Sequence, residues 1–439
     1  MKLHFISLGC PKNLVDSEIM LAALVKGGHD LIDEPKEAEA IVVNTCAFVE
    51  DAKREAIDTI LEMAEFKKKG SCKLLVVAGC LPQRYRGELA ELLPEVDIFI
   101  GTGDFHKIVE LIKSWDGTQH VEVGRPGYIY DHRTERLRTT ARHVAYLKIS
   151  EGCLHPCSFC IIPKLRGKFR SRPIESILSE AQRMLSDGVK EINIIAQDTT
   201  AYGVDIGTDF AKLLRSLSDL KGGDKWLRIL YAYPHKFSDE VIELMRDRND
   251  ICSYIDLPVQ HINDRILKMM KRKGDGSEIR GLLRKLRERV PGVSIRTSLI
   301  VGFPGETQKE FDELLDFMGD IRFEHLGVFT FSPEDGTPAA KLKEKVHPKI
   351  VEERMKEAME LQREISLSNN QRYLGRRVDV LVEGPSEETE MLVQARHEGQ
   401  APEFDGVVYI NEGFARSGSF VTVNITEAHH YDLVGSVVD

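Results

Sequence analysis

Short apolar runs that alternate with amphipathic segments dominate the chain and constrain its fold more than any other feature. In the first series the runs cover residues 2–8, 41–44, 74–78 and 96–100, with helical periodicity at 15–26, 51–69 and 86–93. This alternation is typical of a parallel sheet whose strands are joined by crossover helices. The sequence therefore predicts an open parallel α/β domain over residues 1–114.

A second series of the same kind follows residues 115–142, which lack periodicity and are interpreted as a linker. Its six apolar runs again alternate with amphipathic segments, and they lie at 144–149, 192–196, 227–232, 251–257, 294–300 and 325–331. Six strand-helix units are too few for a closed eight-stranded barrel, so they favour a partial (β/α)6 barrel. With a charged connecting helix at its end, this domain is predicted to cover residues 143–371, which makes the fold class α/β.

The tail, residues 372–439, changes to short β-rich runs separated by Gly, Pro and Asn. This pattern is typical of a small all-β barrel. The tail holds five Arg, no Lys and twelve Asp plus Glu, which gives a net charge of -7. An acidic module favours a basic partner.

Composition and charge limit the partners and the cellular compartment that we expect for the protein. The net charge of -10 argues against holding a polyanion by bulk attraction. No apolar run approaches the roughly 18 residues of a membrane span, and the short apolar start is no signal core, so we expect a cytoplasmic protein. Because that compartment keeps thiols reduced, clustered cysteines among the eight indicate metal or redox chemistry.

Three of the cysteines lie in one octet, Cys153-Leu-His-Pro-Cys157-Ser-Phe-Cys160, directly after the first run of the second series. Thiolates at this spacing can ligate three irons of a cubane cluster and leave the fourth iron open. The alternative is a structural zinc site, which normally needs four protein ligands, and only His155 is near enough to be the fourth. The octet therefore favours an iron-sulfur cluster.

Three further cysteines, Cys10, Cys46 and Cys80, each follow one of the first three apolar runs. The carboxyl ends of neighbouring parallel strands share one edge of a sheet, where ligands bind, so the three thiols are predicted to converge. The alternative is three unrelated buried thiols, a common state of cysteine. Cys72 and Cys252 match neither group and are interpreted as structural.

The octet, with the aromatic Phe159 before its last cysteine and six strand-helix units around it, resembles the radical S-adenosylmethionine superfamily. The resemblance implies a 4Fe-4S cluster on Cys153, Cys157 and Cys160 that binds S-adenosylmethionine and yields a 5'-deoxyadenosyl radical. Such a radical needs an enclosed site that excludes water.

Motifs of the N-terminal domain resemble one family within this superfamily. Gly-Cys-Pro-Lys-Asn at 9–13, Asn-Thr-Cys at 44–46 and Gly-Cys at 79–80 are similar to the three ligand motifs of the methylthiotransferases. Other patterns of that family recur at 196–199, 257–261, 301–307 and 332–338. This resemblance implies a second 4Fe-4S cluster on Cys10, Cys46 and Cys80 and a TRAM-like barrel in the tail. It also implies two S-adenosylmethionine molecules per product, one for the radical and one for the methyl group.

No catalytic residue is assigned beyond the six cysteines. Phe159 is a candidate cofactor contact because it adjoins Cys160. Gln197, Asp198 and Arg296 are candidates because they lie at carboxyl ends or on the interior of barrel strands. The alternative for these residues is that they are ordinary polar groups of the barrel core, paired among themselves.

Family members act on two substrate classes, an aspartate of a small-subunit ribosomal protein or a modified tRNA adenosine. Residues 7–18, Ser-Leu-Gly-Cys-Pro-Lys-Asn-Leu-Val-Asp-Ser-Glu, resemble the ribosomal-protein branch, whereas tRNA branches tend to carry Gln-Met-Asn after the first cysteine. RNA binding also calls for a basic tail, and this tail is acidic. A basic run at Lys164, Arg166, Lys168, Arg170 and Arg172 discriminates poorly, because it suits RNA, cofactor carboxylates or a solvated loop.

The resemblance therefore implies methylthiolation at the β-carbon of an aspartate in ribosomal protein twelve of the small subunit, and the acidic charge of the barrel predicts that it recognises this basic protein. An electron donor and a sulfur donor are the other partners required, and no membrane is involved. The alternatives are a tRNA adenosine 2-methylthiotransferase and a non-enzymatic iron-sulfur binding or assembly factor.

Overall fold

Three large sheets follow one another along the chain in the computed structural model, which describes residues 1–386, 389 and 392–438. The first is a parallel sheet with the strand order β2-β1-β3-β4-β5-β6. Its strands are β1 (Lys2–Ser7), β2 (Asp30–Leu31), β3 (Ala40–Thr45), β4 (Leu74–Gly79), β5 (Ile98–Gly101) and β6 (His120–Glu122). Its helices are α1 (Pro11–Lys26), α2 (Glu50–Ala64), α3 (Phe66–Lys69), α4 (Cys80–Tyr85), α5 (Gly87–Leu92) and α6 (Ile108–Ser114).

This first sheet confirms the four strands predicted from apolar runs. β3 and β4 are buried along their whole length, which is why they read as continuous apolar segments. The edge strands β2 and β6 are short and largely exposed, and no apolar run marks them. β6 lies in the segment interpreted as a linker and pairs in parallel with β5.

The central sheet is also parallel and open, with the order β14-β13-β12-β11-β10-β7. Its strands are β7 (Val144–Lys148), β10 (Glu191–Ile195), β11 (Trp226–Ile229), β12 (Ile251–Asp256), β13 (Ser294–Val301) and β14 (His325–Thr330), and β8 (Ser150–Glu151) pairs with β9 (Arg170–Ser171) beside it. All six predicted strands are present, so the partial barrel is confirmed.

Helices cover the outside of this sheet. They are α8 (Ile174–Ser186), α9 (Phe210–Ser218), α10 (Asp239–Asp247), α11 (Asp264–Met269), α12 (Gly276–Arg289), α13 (Gln308–Ile321) and the long α14 (Pro348–Asn370). The short α7 (Ile162–Arg166) packs instead against α4 of the N-terminal domain. Single 3-10 turns lie at Pro35–Glu37, Phe105–Lys107, Ala339–Lys341 and Gln371–Tyr373. Among the described residues, no helix combines the length and the apolar character that crossing a bilayer requires.

The tail forms a closed five-stranded barrel, as predicted, with the order β15-β16-β17-β19-β18. Its strands are β15 (Arg377–Pro385), β16 (Val393–His397), β17 (Val408–Glu412), β18 (Phe420–Ala428) and β19 (Leu433–Val437). Alternate apolar residues such as Val380, Val423 and Leu433 fill its interior. Closure removes the exposed strand edges of a small sheet.

One apolar cluster crosses all three domains. It joins Val15 of α1 to Tyr146 and Tyr254 of the central sheet and to Leu381 and Ala401 of the C-terminal barrel. Protein interiors are densely packed and hard to compress, so this shared core fixes the position of the N-terminal sheet relative to the central sheet. Both cysteine groups lie on these two sheets.

Candidate functional site

The first cysteine group lies where three adjacent strands of the N-terminal sheet end. β3 pairs with β1 on one side and with β4 on the other. Cys10 caps the start of α1, Cys46 follows β3 directly, and Cys80 begins α4. The structure therefore brings the three thiols to one edge of the sheet, as predicted, and we call them the N-terminal trio.

Two glycines allow this close approach. Gly9 and Gly79 precede Cys10 and Cys80 with φ of +91° and +97°, a region that other residues rarely adopt. A Cβ atom on Gly9 would lie 2.7 Å from the Cβ of Cys46, and one on Gly79 would lie 2.6 Å from the carbonyl oxygen of Thr45. Any side chain at either position would push the strand ends apart.

Burial opposes negative charge on the N-terminal trio. It raises the pKa of Cys80 to about 12 and also raises the pKa of Cys46. Burial acts in the same direction at Cys10, but the positive charges of Lys12 and Arg166 lower the pKa of Cys10 below its ordinary value. A bound metal centre would stabilise the thiolate form that burial opposes, so the trio is suited to hold a metal cluster.

The second group, Cys153, Cys157 and Cys160, lies in a loop that follows β7 and β8, and we call it the octet trio. Neighbouring elements hold the loop by backbone hydrogen bonds. The amide of Ser158 donates to the carbonyl oxygen of Met270 at 2.8 Å, and the amide of Ala339 donates to the carbonyl oxygen of Ser158 at 2.8 Å. These contacts fix a loop that has no regular structure of its own.

His155, inside the octet, is engaged with other groups. Its Nε2 lies 2.6 Å from Oδ2 of Asp198, and its ring stacks on Tyr233 with centroids 3.6 Å apart. Its backbone amide donates to Sγ of Cys153 at 3.4 Å. This side chain orients the loop, which disfavours the reading of His155 as a fourth zinc ligand.

The octet trio shares the electrostatic character of the first group. Burial raises the pKa of Cys153 to about 11 and that of Cys160 to about 12. Across the described part of the chain, no three His, Cys, Asp or Glu side chains lie close enough to hold a single metal ion.

Three of the four predicted cofactor contacts surround the octet. The amide of Gln197 donates to Oε1 of Glu151 at 2.6 Å, beside the octet, and Asp198 binds His155. Phe159 packs against a small apolar cluster that includes Met270 and Phe303. The structure therefore places Gln197, Asp198 and Phe159 around one loop.

Arg296, the fourth predicted contact, makes its contacts elsewhere. Its Nη1 lies 3.0 Å from Oδ1 of Asp256, and its Nε lies 3.4 Å from Oδ1 of Asp405 in the C-terminal barrel. Its guanidinium also lies over the ring of Phe404, 5.3 Å from the centroid. Arg296 therefore ties the carboxyl end of β12 to the C-terminal barrel.

A buried ionic chain, not predicted from the sequence, runs from Cys80 to Glu151, two residues before Cys153. Nζ of Lys148 lies 2.5 Å from Asp16 and 2.9 Å from Glu151, which in turn accepts from Gln197. Arg166 of α7 binds the other oxygen of Asp16 and lies 3.6 Å from Sγ of Cys80. We call Asp16, Arg166, Lys148 and Glu151 the buried bridge, and each is at most 5% exposed.

Part of this bridge carries a signal in the sequence. Asn13, Asp16 and Ser17 lie at helical spacing on α1, directly after Cys10, and all three are buried. A polar stripe that faces inward is rare and needs partners. The basic run carries no such signal, because Arg166 and Arg172 are buried whereas Lys164 and Lys168 are exposed.

Lys12 and Tyr231 lie between the N-terminal trio and Arg296. Nζ of Lys12 is 3.1 Å from the centroid of the Tyr231 ring, and Tyr231 has a positive φ of 59°. Oδ2 of Asp256 accepts from the amide of Tyr231 at 3.0 Å. Burial lowers the pKa of Lys12 despite the nearby Cys10. The site thus combines a desolvated amine, an aromatic ring and carboxylates in one interior.

Three family models match the chain in succession. An uncharacterised family, UPF0004, matches residues 2–101, the radical SAM superfamily matches residues 147–318, and the TRAM domain matches residues 374–438. The first match contains the N-terminal trio, and the second contains the octet trio.

Full-length relatives are also found. A protein of Myxococcus xanthus called ribosomal protein uS12 methylthiotransferase RimO is 51% identical over 439 residues, covering 100% of this chain and 92% of that relative. A protein of the same name from Geotalea uraniireducens is 48% identical, covering 100% of this chain and 98% of the relative.

Solved structures share the fold at lower identity. The radical S-adenosylmethionine methyltransferase TsrM of Kitasatospora setae has a TM-score of 0.58 at 13% identity, covering 83% of this chain and 89% of TsrM. The cobalamin-dependent radical enzyme OxsB has a TM-score of 0.54 at 15% identity, covering 82% of this chain and 56% of OxsB.

Proposed function

Because the chain belongs to the family of ribosomal protein uS12 methylthiotransferases RimO, we propose that it replaces one β-hydrogen of an aspartate in uS12 with a methylthio group. The chain is a radical SAM methylthiotransferase. One observation supports the proposal above all. Two cysteine trios, each with one buried and two partly buried thiols, lie at the carboxyl ends of two neighbouring sheets. The buried bridge runs from Cys80 to Glu151, two residues before Cys153.

We assign one 4Fe-4S cluster to Cys153, Cys157 and Cys160 and a second to Cys10, Cys46 and Cys80. The burial of these thiols and the cations beside Cys10 support both assignments. When bound, the first cluster supplies the electron that cleaves S-adenosylmethionine, and the second supplies an open iron for sulfur. Two S-adenosylmethionine molecules are consumed per product.

The chain's own residues position these groups. Gln197 and Asp198 lie at the carboxyl end of β10 and offer polar groups to S-adenosylmethionine, while Phe159 closes the octet loop on its apolar side. Arg166 holds Asp16 of the N-terminal domain and so keeps the spacing of the trios constant. Lys12, Tyr231 and Arg296 line the interior on the side of the N-terminal trio, where a substrate side chain would enter.

The role of the C-terminal barrel in recognising uS12 stays a prediction. Glu398 accepts from the amide of Ser253 and Asp405 accepts from the hydroxyl of Tyr254, so both carboxylates face the central domain. Glu383 binds Arg396 within the barrel and lies 3.7 Å from His143 outside it. Glu387, Glu388, Glu390 and Asp439, which contribute to the charge of -7, lie outside the described residues. The described exposed face mixes both signs, with Arg372, Arg376, Arg377 and Arg416 beside Asp379, Glu412 and Glu427.

We place the reaction in the cytoplasm. The test is anaerobic and uses the reconstituted chain with S-adenosylmethionine, sulfide, a reductant and purified uS12. We expect mass spectrometry to find one methylthio group in place of one hydrogen on an aspartate of uS12. Modification of tRNA adenosine instead would favour the tRNA branch. The absence of S-adenosylmethionine cleavage would favour an assembly factor.

A further inference from the structure

A cleft of about 860 Å³ opens on the surface between the N-terminal and central domains. Its walls are α4 and the residues after it, the turn at 125–127, the α7 segment with residues up to Arg170, and the turn at 335–336. Each wall belongs to a different part of the chain. The cleft therefore exists only when the two domains are docked.

The cleft is strongly basic in a protein whose net charge is -10. Arg86, Arg125 and Lys168 are exposed, and within the described residues none of them has an ion-pair partner. Lys164 and Arg170 bond only to carbonyl oxygens, at 2.7 Å from Nζ of Lys164 to Gly336 and 3.3 Å from Nη2 of Arg170 to Arg166. Five cations in one cleft thus lack a carboxylate partner.

The same lining carries little negative charge to offset them. Glu88 and Asp335 are its acidic members. Arg84 also lines the cleft, but it is neutralised by Glu334 at 2.7 Å. The balance among the unpaired groups is positive, so the cleft would attract an anionic surface.

The floor of the cleft adjoins both cysteine trios. Ile161, a lining residue that is only 4% exposed, follows Cys160 directly in the chain. α4, another wall, begins at Cys80. Between them, α7 presents Lys164 to the cleft, while its last residue, Arg166, reaches inward to Cys80. A single short helix thus separates the cleft from the N-terminal trio.

We propose that this cleft is the docking site for an acidic one-electron carrier protein. The inference rests on the proposed function, since cleavage of S-adenosylmethionine requires one electron from outside. The reduced carrier loses that electron, and the S–C5' bond of the sulfonium breaks to give neutral methionine and a 5'-deoxyadenosyl radical, with no proton transferred. Electron transfer slows steeply with distance, so a carrier must dock where a cluster lies close to the surface.

The position of the cleft favours a carrier over RNA. An RNA substrate would also have to reach both trios, but the relatives of this chain are named for a ribosomal-protein substrate. Ile161 directly follows Cys160, and α4 begins at Cys80, so the basic surface shares chain segments with both trios. Charge complementarity would steer an acidic carrier to that point and raise its association rate.

The first test measures binding to the chain as purified without clusters, using oxidised flavodoxin, an acidic flavin-containing carrier, at low salt. The variant Arg125→Glu with Lys168→Glu reverses two exposed cations of the cleft. We expect its Kd for flavodoxin to rise about tenfold or more. The matched control, Lys212→Glu with Arg284→Glu, reverses two exposed cations elsewhere and should bind like the parent.

The second test compares two reductants with the reconstituted enzyme. With reduced flavodoxin, 5'-deoxyadenosine should form more slowly in the cleft variant than in the parent. The difference between the two rates should shrink as salt is added, because salt screens the attraction between flavodoxin and the parent. With reduced methyl viologen, a small cation that needs no docking site, both variants should match the parent. Slowing with flavodoxin alone supports the proposal.

Two results would overturn the docking site. One is equal flavodoxin affinity in the cleft variant and the parent. The other is loss of binding to a labelled single-stranded RNA oligonucleotide in the cleft variant while flavodoxin binding is kept, which would assign the cleft to RNA. If methyl viologen gives no 5'-deoxyadenosine even in the parent, the proposed function has failed, and the binding measurement still decides whether a carrier docks here.

Discussion

The N-terminal trio draws its cysteines from three separate strand ends, whereas the octet trio takes all three from one loop of eight residues. Register between β1, β3 and β4 sets the first geometry, and a basic residue of another domain, Arg166, completes it. Contacts of Ser158 and His155 within the central domain set the second. The N-terminal trio thus depends on the docking of two domains, and the octet trio depends much less on it.

The largest expected effect separates the chemical roles of the trios. Cys157→Ala should abolish both 5'-deoxyadenosine and methylthiolated product, because one cluster ligand of the octet is lost. Cys46→Ala should keep 5'-deoxyadenosine formation but stop sulfur insertion. Chromatography of the nucleoside and mass spectrometry of uS12 measure the two outputs. Cys72→Ala, which removes a buried thiol outside both trios, should leave both outputs intact. Product formation by Cys46→Ala would refute the assignment of the second cluster.

The next effect tests dependence on domain docking. Arg166→Met leaves Asp16 buried with only Lys148 as its partner, and we expect the free energy of unfolding to fall by about 3 kcal/mol. Urea unfolding measures this loss, and electron paramagnetic resonance should show damage mainly at the N-terminal cluster. Adding Asp16→Asn should recover part of the stability, since Asp16 and Glu151 would otherwise share Lys148 and leave one excess buried negative charge. Equal damage to both clusters would contradict the difference between the trios.

A smaller, local effect is expected at the octet. His155→Phe keeps an aromatic ring to stack on Tyr233 but leaves Asp198 without its imidazole partner, at a cost of about 1–3 kcal/mol to the loop. We expect less iron retained at Cys153, Cys157 and Cys160 and slower S-adenosylmethionine cleavage. Spectra of the N-terminal cluster provide the internal control and should not change. A variant that loses both clusters together would show that the octet is not locally held.

The smallest effect concerns pH and the anchoring of the C-terminal barrel. Burial, aided by the positive charges near His397, lowers the pKa of this imidazole to about 3. In the unfolded chain, His397 takes up a proton as the pH falls below its ordinary pKa of 6.5. In the folded chain it does so only near pH 3. The stability that the neutral His397 contributes is therefore complete above pH 6.5 and is lost as the pH falls. The slope is about 1.4 kcal/mol per pH unit.

Thermal unfolding between pH 7 and pH 5 measures this slope. His397→Asn removes the titrating group, so the melting temperature of the variant should depend less on pH than that of the parent. An unchanged dependence would show that other groups cause the acid sensitivity.

Much of the fold follows from local patterns in the sequence. Buried strands such as β3 and β4 contain runs of apolar residues, and each strand is followed at once by a cysteine, so both the sheet and the meeting of Cys46 with Cys80 were predictable. Short strands such as β6 have no pattern of their own, because they form only where a long neighbour offers a free edge.

The buried bridge was not predictable in the same way. Lys164 and Arg166 are two residues apart in one basic run, yet the first is exposed and the second is buried beside Cys80. Only the docking of two domains distinguishes them. Arg296 shows the same limit, because its partner Asp405 belongs to a domain more than a hundred residues later.

The most direct test of two separate clusters is the iron and acid-labile sulfide content of three reconstituted proteins. These are the parent, a variant with Cys10, Cys46 and Cys80 all changed to Ala, and a variant with Cys153, Cys157 and Cys160 all changed to Ala. Each variant should hold half the iron and sulfide of the parent, with the 4Fe-4S spectrum of the remaining cluster. Full content in either variant, or none in both, would contradict the assignment of one cluster to each trio.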